Sequence, residues 1–231
     1  MAHPFALLQR LALPCTGVLQ IGASFGQEVE AIAASGAKMA VLVEPLPGPF
    51  QKLSEKIRPY RYMIAVRALC SSVAGETVNF QIASNGGMSS SILEPEAHKT
   101  IYPNVEFPQT IQIKTTSVDV LMGLLAEKIG RAPAEINTLL MDVQGAEHLV
   151  LQGAEKTLSQ IDYIFCEVSL GGLYKGDLSV EALQAYLMPQ GFRVCWLEMN
   201  RRGWGDALFI REKFFDVMRV KAESGEKASD A

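Results

Sequence analysis

The first fifty residues contain a βαβ unit, and it constrains most of what can follow. Residues 16–21 form a short apolar run that ends in Gly22. Over residues 27–36, Val29, Ile32, Ala33 and Gly36 recur on one helical face, the spacing of a helix packed on a sheet. Residues 38–44 (K-M-A-V-L-V-E) read as a buried strand stopped by Pro45. A short helix is expected over 49–57 and a third strand over 62–69. Strand, helix, strand, helix, strand at this spacing predicts a parallel sheet with crossover helices.

The middle of the chain changes character. Residues 76–82 and 110–114 alternate with period two, which predicts antiparallel strands with one face to solvent. Between them lie Asn85-Gly-Gly-Met-Ser-Ser-Ser91 and a stretch running to Pro108, and long segments without periodicity are usually functional. The parallel pattern then resumes, with a helix over 118–129 and a strand over 136–141 ending at Asp142. One helix follows, carrying Ala146, Leu149, Val150, Gly153, Ala154 and Leu158 on its inner face. A strand over 161–168 comes next, then a helix with Val180, Leu183 and Leu187 inward, ended by Pro189 and Gly191. Residues 192–197 and 207–210 are expected to pair as a hairpin across Asn200-Arg-Arg-Gly203. The fold class is therefore α/β: a single-domain, Rossmann-like, mostly parallel sheet with helices on both faces and an antiparallel C-terminal hairpin. The expected layout is an N-terminal helical segment over 1–15, the domain over 16–211 and a charged tail over 212–231.

Composition excludes several classes. With 21 Lys+Arg against 25 Asp+Glu, the net charge of −4 does not suit a surface that neutralises phosphates, so no nucleic-acid partner is expected. Cys15, Cys70, Cys166 and Cys195 form no C-x-x-C pair, which speaks against structural zinc and a disulfide framework. No window approaches the roughly 18 apolar residues of a membrane span, and the first ten residues lack a basic n-region. A cytoplasmic protein with a small-molecule or glycan acceptor and no integral membrane segment is expected; a homodimer stays open.

In an open parallel sheet the ligand sits at the carboxyl ends of the strands, beside the first strand. Here that turn is Gly22-Ala-Ser-Phe-Gly26, where glycine allows close backbone approach. Glu44 ends the second strand, and a carboxylate there can accept hydrogen bonds from both hydroxyls of a ribose. The plainer alternatives are a tight βα connection and a solvated strand-end acid. The turn lacks the central glycine of G-x-G-x-x-G and the chain has no Walker A lysine, which disfavours a pyrophosphate. S-adenosylmethionine, which has no phosphates, tolerates this looser turn.

Three segments resemble the FkbM-type family of S-adenosylmethionine-dependent methyltransferases: Val18-Leu-Gln-Ile-Gly-Ala-Ser-Phe-Gly26, Val43-Glu-Pro-Leu-Pro47 and Met141-Asp-Val-Gln-Gly-Ala-Glu-His-Leu-Val-Leu-Gln-Gly-Ala154. The third is the most specific, and Met88-Ser-Ser-Ser91, Thr115-Thr-Ser-Val-Asp119 and Glu167 are weaker echoes. The resemblance spans roughly 16–211. It implies a class I methyltransferase sheet, S-adenosylmethionine as cofactor with S-adenosylhomocysteine as product, and O-methylation of a sugar, glycan or polyketide-like hydroxyl. It assigns cofactor binding to Gln20, Gly22, Ala23, Ser24, Phe25, Gly26, Glu44, Pro45, Leu46, Leu69, Cys70, Ser90, Asp142 and Val143. The chain departs from the family pattern in carrying Gln20, Ser24 and Gln144 where an acid, an Asn and a Glu are usual.

Methyl transfer to a hydroxyl needs alignment and a general base. Asp142, at a strand end beside the glycine turn, is the first candidate; its alternative is the N-cap of the next helix. Glu167 ends another strand and could face the acceptor or pair with a basic side chain. His98, in the long middle segment, could reach the site as a lid residue. Glu147 is expected to be structural, at a helix start, and His148 a surface residue. Asp142, Glu147 and Glu167 also admit a divalent metal, which is not favoured because no ligand spacing supports it. The acceptor is expected against residues 85–108 and 169–178, with Tyr102, Phe107 and Tyr174 for stacking and Arg201 and Arg202 for an anion. An NAD-type oxidoreductase and a cofactor-binding module without catalysis are the alternatives.

Overall fold

The computed structural model describes residues 4–129 and 135–215. Helix α1 (Pro4–Arg10) leads into β1 (Val18–Ile21), α2 (Val29–Ala34), β2 (Ala40–Val43), α3 (Pro47–Lys56) and β3 (Met63–Val66). The chain then leaves the main sheet for β4 (Leu69–Cys70), β5 (Thr77–Ile82), α4 (His98–Ile101) and β6 (Gln109–Thr116). It returns through α5 (Val118–Ile129), β7 (Thr138–Met141), α6 (Glu147–Gln152), α7 (Glu155–Leu158), β8 (Tyr163–Ser169) and α8 (Val180–Leu187), and closes with β9 (Phe192–Met199) and β10 (Trp204–Arg211).

The seven-stranded sheet has the order β3-β2-β1-β7-β8-β10-β9. Its first five strands are parallel, and β10 runs antiparallel to both β8 and β9. Strand order reverses between β1 and β7, so the crevice forms at their carboxyl ends. Every residue of β1, β2 and β7 is buried, as expected of parallel strands covered on both faces. Period two sorts their side chains. Leu19, Ile21, Leu139, Met141, Ile164 and Cys166 meet α5–α8, whereas Val18, Leu140, Tyr163 and Leu208 meet α1–α3. Helix α1 contributes Phe5, Leu7 and Leu8 to that second core.

Two sequence expectations change. The run 62–69 splits: β3 ends at Val66, and Leu69–Cys70 pairs with β6 in a separate three-stranded sheet, where β5 and β6 are antiparallel as their alternation predicts. The single helix expected through Leu158 is two, α6 and α7, broken at Gly153. A Cβ there would sit 2.2 Å from the Ser71 carbonyl oxygen, so the helix yields to close backbone contact. The Asp119 carboxylate accepts from the Lys156 and Thr157 amides at 2.9 and 2.8 Å and so caps α7. The charged tail expected over 212–231 lies, from 216 on, outside the described residues. All four cysteines are free thiols, and among the described residues no helix is long and apolar enough to cross a membrane.

Candidate active site

A cavity of about 390 Å³ opens at the carboxyl ends of β1, β2, β7 and β8. Its floor is the turn after β1. Gly22 and Gly26 have positive φ, and so does Ser24, at 46°. The amides of Gly22 and Ala23 both bond the Val43 carbonyl, which pins the turn to β2. Glu44 clamps it further: Oε2 accepts from the Ser24 amide at 2.9 Å and Oε1 from the Leu46 amide at 2.8 Å. Burial pushes the Glu44 pKa up, and these two bonds oppose the shift. Each carboxylate oxygen keeps the capacity to accept a second hydrogen bond, and Glu44 lines the cavity. Leu46, Ala68, Leu69, Cys70, Phe80 and Ile92 give this arm an apolar wall.

The other arm is acidic. Register sets Gln20 beside Leu140 and Leu140 beside Phe165, and one step further Glu167 lies opposite Asp206. Asp142, just past β7, belongs to the same step on the same face. The side chain of Asp142 is open to the cavity, and the protein packed around it raises its pKa. Glu167 is pushed well up, first by burial and then by the charges of Asp142 and Glu147, and the two carboxyls share a hydrogen bond. Both carboxyls are thus raised, Glu167 the further because the Asp142 and Glu147 charges add to its burial. Burial and the Asp142 and Glu198 charges raise Asp206 to about 6.

Gln144 ties this arm together. Its backbone is left-handed, with φ of 56°. Nε2 donates to Asp142 Oδ1 and to Glu167 Oε2, each at 2.7 Å. Its Oε1 lies 3.1 Å from the Tyr174 hydroxyl, whose proton is shared with the Ser89 carbonyl at 3.0 Å. The Ser91 hydroxyl donates to the Gln144 carbonyl. The middle segment is thus fastened to the acids through one amide side chain. Sequence reasoning noted Gln144 only as a departure from a pattern, and it missed Glu28, Phe165 and Asp206, which line the cavity. Hairpin register, with Asp206 across from Glu167, was the available signal for the last of these.

Of the residues expected at the cofactor, Gln20, Gly22, Ser24, Glu44, Pro45, Leu46, Leu69, Cys70, Ser90, Asp142 and Val143 line the cavity, as does Glu167. Ala23, Phe25 and Gly26 do not. Ala23 is in the core, Phe25 lies under Lys52, and Gly26 packs against Leu53 and Lys56. His98 is corrected from a lid residue to an interior one. It is 4% exposed among Tyr102, Phe107 and Tyr174, burial lowers its pKa, and it does not line the cavity. Those three aromatics surround His98 rather than presenting open faces to a ligand. Arg201 and Arg202 are exposed on the hairpin turn. Asp142 is no helix cap: Ala146 holds the N-cap position of α6 and the Asp142 carboxylate bonds Gln144 instead. Among the described residues no group of three or more His, Cys, Asp or Glu side chains is placed to hold a metal ion.

Glu147 is the structural acid its position suggests. It is buried, and its Oε1 accepts from the Val143 amide at 3.1 Å. Burial, the largest cause, and the Asp142 charge raise its pKa from 4.5 to about 8. Between those values the folded chain keeps a proton that the unfolded chain has lost, so stability falls as pH rises and the loss is complete above about 8. Glu147→Gln retains the acceptor oxygen and removes this titration. Thermal melts should show the variant more stable than wild type at pH 8 and nearly equal at pH 4.5; parallel curves across that range would assign the pH dependence to other groups.

The sequence profile of the "Methyltransferase FkbM domain" matches residues 20–194. A relative, the 2-O-methyltransferase NoeI of Sinorhizobium fredii (strain NBRC 101917 / NGR234), is 27% identical over 185 residues, covering 77% of this chain and 73% of its own. Among solved structures, magnesium protoporphyrin IX methyltransferase of Synechocystis PCC 6803 aligns with TM-score 0.49 and 10% identity, over 90% of this chain and 74% of that one. A SAM-dependent methyltransferase of Aquifex aeolicus aligns with TM-score 0.47 and 10% identity, over 89% and 87%. With three quarters of its length matching one profile, whose motifs here form the cavity, the chain belongs to the FkbM methyltransferase family.

Proposed function

We propose that this methyltransferase uses S-adenosylmethionine to O-methylate a hydroxyl of a sugar, glycan or polyketide-like acceptor. The observation that carries the reading is the meeting of the Gly22 turn, Glu44 and Asp142 around one cavity. The residues present fit the cofactor. An apolar wall faces a ribose-gripping carboxylate, and the Gln20 Oε1 atom is buried with no hydrogen-bond partner among the described residues. Gly22, Ser24, Glu44, Leu46, Leu69 and Cys70 would hold it. When bound, it supplies a methyl already activated on a sulfonium.

The chain's own residues supply the rest. Asp142, once ionised, takes the acceptor's hydroxyl proton as general base. Gln144 and Glu167 fix its carboxylate in place, which limits the orientations the acceptor oxygen must search. The 2-O-methyltransferase activity in the name of NoeI supports oxygen as the methylated atom. Acidic balance and free thiols support a small-molecule or glycan acceptor in the cytoplasm rather than a nucleic acid. We assign the catalytic unit to 16–211, with 1–15 as a preceding helical segment.

Calorimetry with S-adenosylhomocysteine, followed by turnover against a panel of hydroxylated acceptors, tests the reading; a protein that binds neither cofactor form would overturn it. If Glu44 grips the ribose, Glu44→Ala should weaken S-adenosylhomocysteine by about 1.5–3 kcal/mol, the scale of charge-assisted hydrogen bonds. Because Glu44 also clamps the turn, Glu44→Gln separates the roles. Gln leaves one oxygen to accept and one nitrogen facing a backbone amide, so it should lose nearly as much affinity while circular dichroism stays native. An unchanged dissociation constant in both variants removes Glu44 from the site.

A further inference from the structure

Gln144 reaches the two acids on a flexible side chain, and its far end needs a fixed point. Both Nε2 hydrogens are spent on Asp142 Oδ1 and Glu167 Oε2, while Oε1 lies 3.1 Å from the Tyr174 hydroxyl. Tyr174 is itself held on several sides. Its side chain is 2% exposed, and its hydroxyl also donates toward the Ser89 carbonyl at 3.0 Å. The Asp177 carboxylate fixes the turn that carries it, accepting from the Gly172, Leu173 and Tyr174 amides at 2.6, 3.1 and 3.3 Å. The ring lies so close to Gly145, the residue after Gln144, that a Cβ there would sit 3.0 Å from Tyr174 Cδ2. Burial, then the Glu167 charge, raise the phenol pKa, so the hydroxyl keeps its proton and stays a donor. The bonds from Nε2 to the acids lack that constancy. Asp142 takes the acceptor's proton in each turnover, and a carboxyl that has gained a proton accepts more weakly. The Tyr174 bond does not depend on that proton.

We propose that Tyr174 is a positioning residue for methyl transfer: its hydroxyl anchors the Gln144 amide, and the amide holds the Asp142 carboxylate in one orientation. This rests on the reading of Asp142 as general base. Tyr174 lies outside the three segments that carry the family resemblance, and it does not line the large cavity, so it acts there through Gln144. Without the hydroxyl, Oε1 loses its donor, and an unsatisfied buried oxygen costs stability unless the amide turns to find another partner. An amide that turns away withdraws a hydrogen bond from Asp142. Losing a bond to the charged form raises a carboxyl's pKa and leaves its direction less defined. The other groups whose charge reaches the Asp142–Glu167 pair are Glu28 ahead of α2, Glu44 after β2, Glu147 on α6 and Asp206 on β10. Asp206 in turn feels the chain's N-terminal charge. None of these groups is changed by a substitution at 174, so a shifted pH profile reports the amide.

Tyr174→Phe removes the hydroxyl and keeps the buried ring. It should lower kcat about tenfold, the scale of one hydrogen bond, and leave calorimetric S-adenosylhomocysteine affinity within about twofold. The rise of kcat with pH should move upward by about half a pH unit or more. A double-mutant cycle asks whether the effect passes through the amide: in a Gln144→Ala background, Tyr174→Phe should change neither kcat nor the pH profile. In wild type, NMR should show a Tyr174 hydroxyl proton protected from exchange by its two acceptors, a measurement that needs no variant. An unchanged kcat, a lowered kcat with an unmoved profile, additive losses in the cycle, or a rapidly exchanging hydroxyl would each overturn the anchoring role while leaving Asp142 as base. Retention of the wild-type pH profile in Asp142→Asn would instead overturn the base reading, and the anchoring role with it.

Discussion

Asp142→Asn should lower kcat by about 10²–10⁴-fold, the range that a general base contributes, while the protein stays folded and still binds S-adenosylhomocysteine. The expectation follows from what Asn preserves. Gln144 Nε2 donates to Asp142 Oδ1 at 2.7 Å, and an Asn carbonyl oxygen can accept the same bond. What is lost is the basic lone pair at the one acid that joins the family's most specific motif to the strand beside the glycine turn. Wild-type kcat should also rise with pH through the raised pKa of Asp142, since the base works only when ionised. The Asn variant should lack that limb. Glu167→Gln should behave differently: it replaces a carboxyl whose pKa is already pushed well up, so the loss should be smaller and the pH limb should move rather than vanish. Single-turnover rates at saturating cofactor separate chemistry from binding. Near-full kcat in Asp142→Asn, with loss in Glu167→Gln, would place the base on Glu167.

The parts of this molecule that were legible in sequence are those governed by local rules. The βαβ opening, the Gly22 turn and strand-end Glu44 could be read because apolar runs, glycines and a stopping proline are local signals. Helix α5 appears with the predicted bounds because its face and its length agree. The failures share a cause: each needed a contact from far along the chain. Gly153 breaks a helix because the Ser71 carbonyl presses on it, and no pattern within 146–158 encodes that. His98 looked like a lid residue because its own segment lacks periodicity, but Tyr174, contributed from beyond β8, helps to enclose it. Asp206 was overlooked because an acid in a hairpin strand is ordinary until register sets it across from Glu167. Gln144 was visible only as a substitution; its function as a bridge depends on a left-handed backbone and three partners from other elements.

Gly22→Ala should be the most damaging single methyl group that can be added at the site. Two effects combine there. Gly22 has a φ of +83°, which costs a non-glycine residue about 1–2 kcal/mol. A Cβ would also lie 1.9 Å from the Asp142 carbonyl oxygen, far inside van der Waals contact, with backbone on both sides of the clash. Either β1 or the segment after β7 must move, and both carry the cavity. The expected result is a stability loss of about 2–4 kcal/mol, toward the large end for point substitutions, with S-adenosylhomocysteine binding below detection. Gly36→Ala is the internal control. Its φ is +86° but nothing lies within 4 Å of its Cβ, so it carries the conformational cost without the clash. It should lose only about 1–2 kcal/mol and bind S-adenosylhomocysteine as wild type does. The difference between the two variants in chemical denaturation measures the contact with Asp142, and the difference in calorimetry measures what the turn gives the ligand. Wild-type affinity in a folded Gly22→Ala protein would show that the ligand does not sit on this turn.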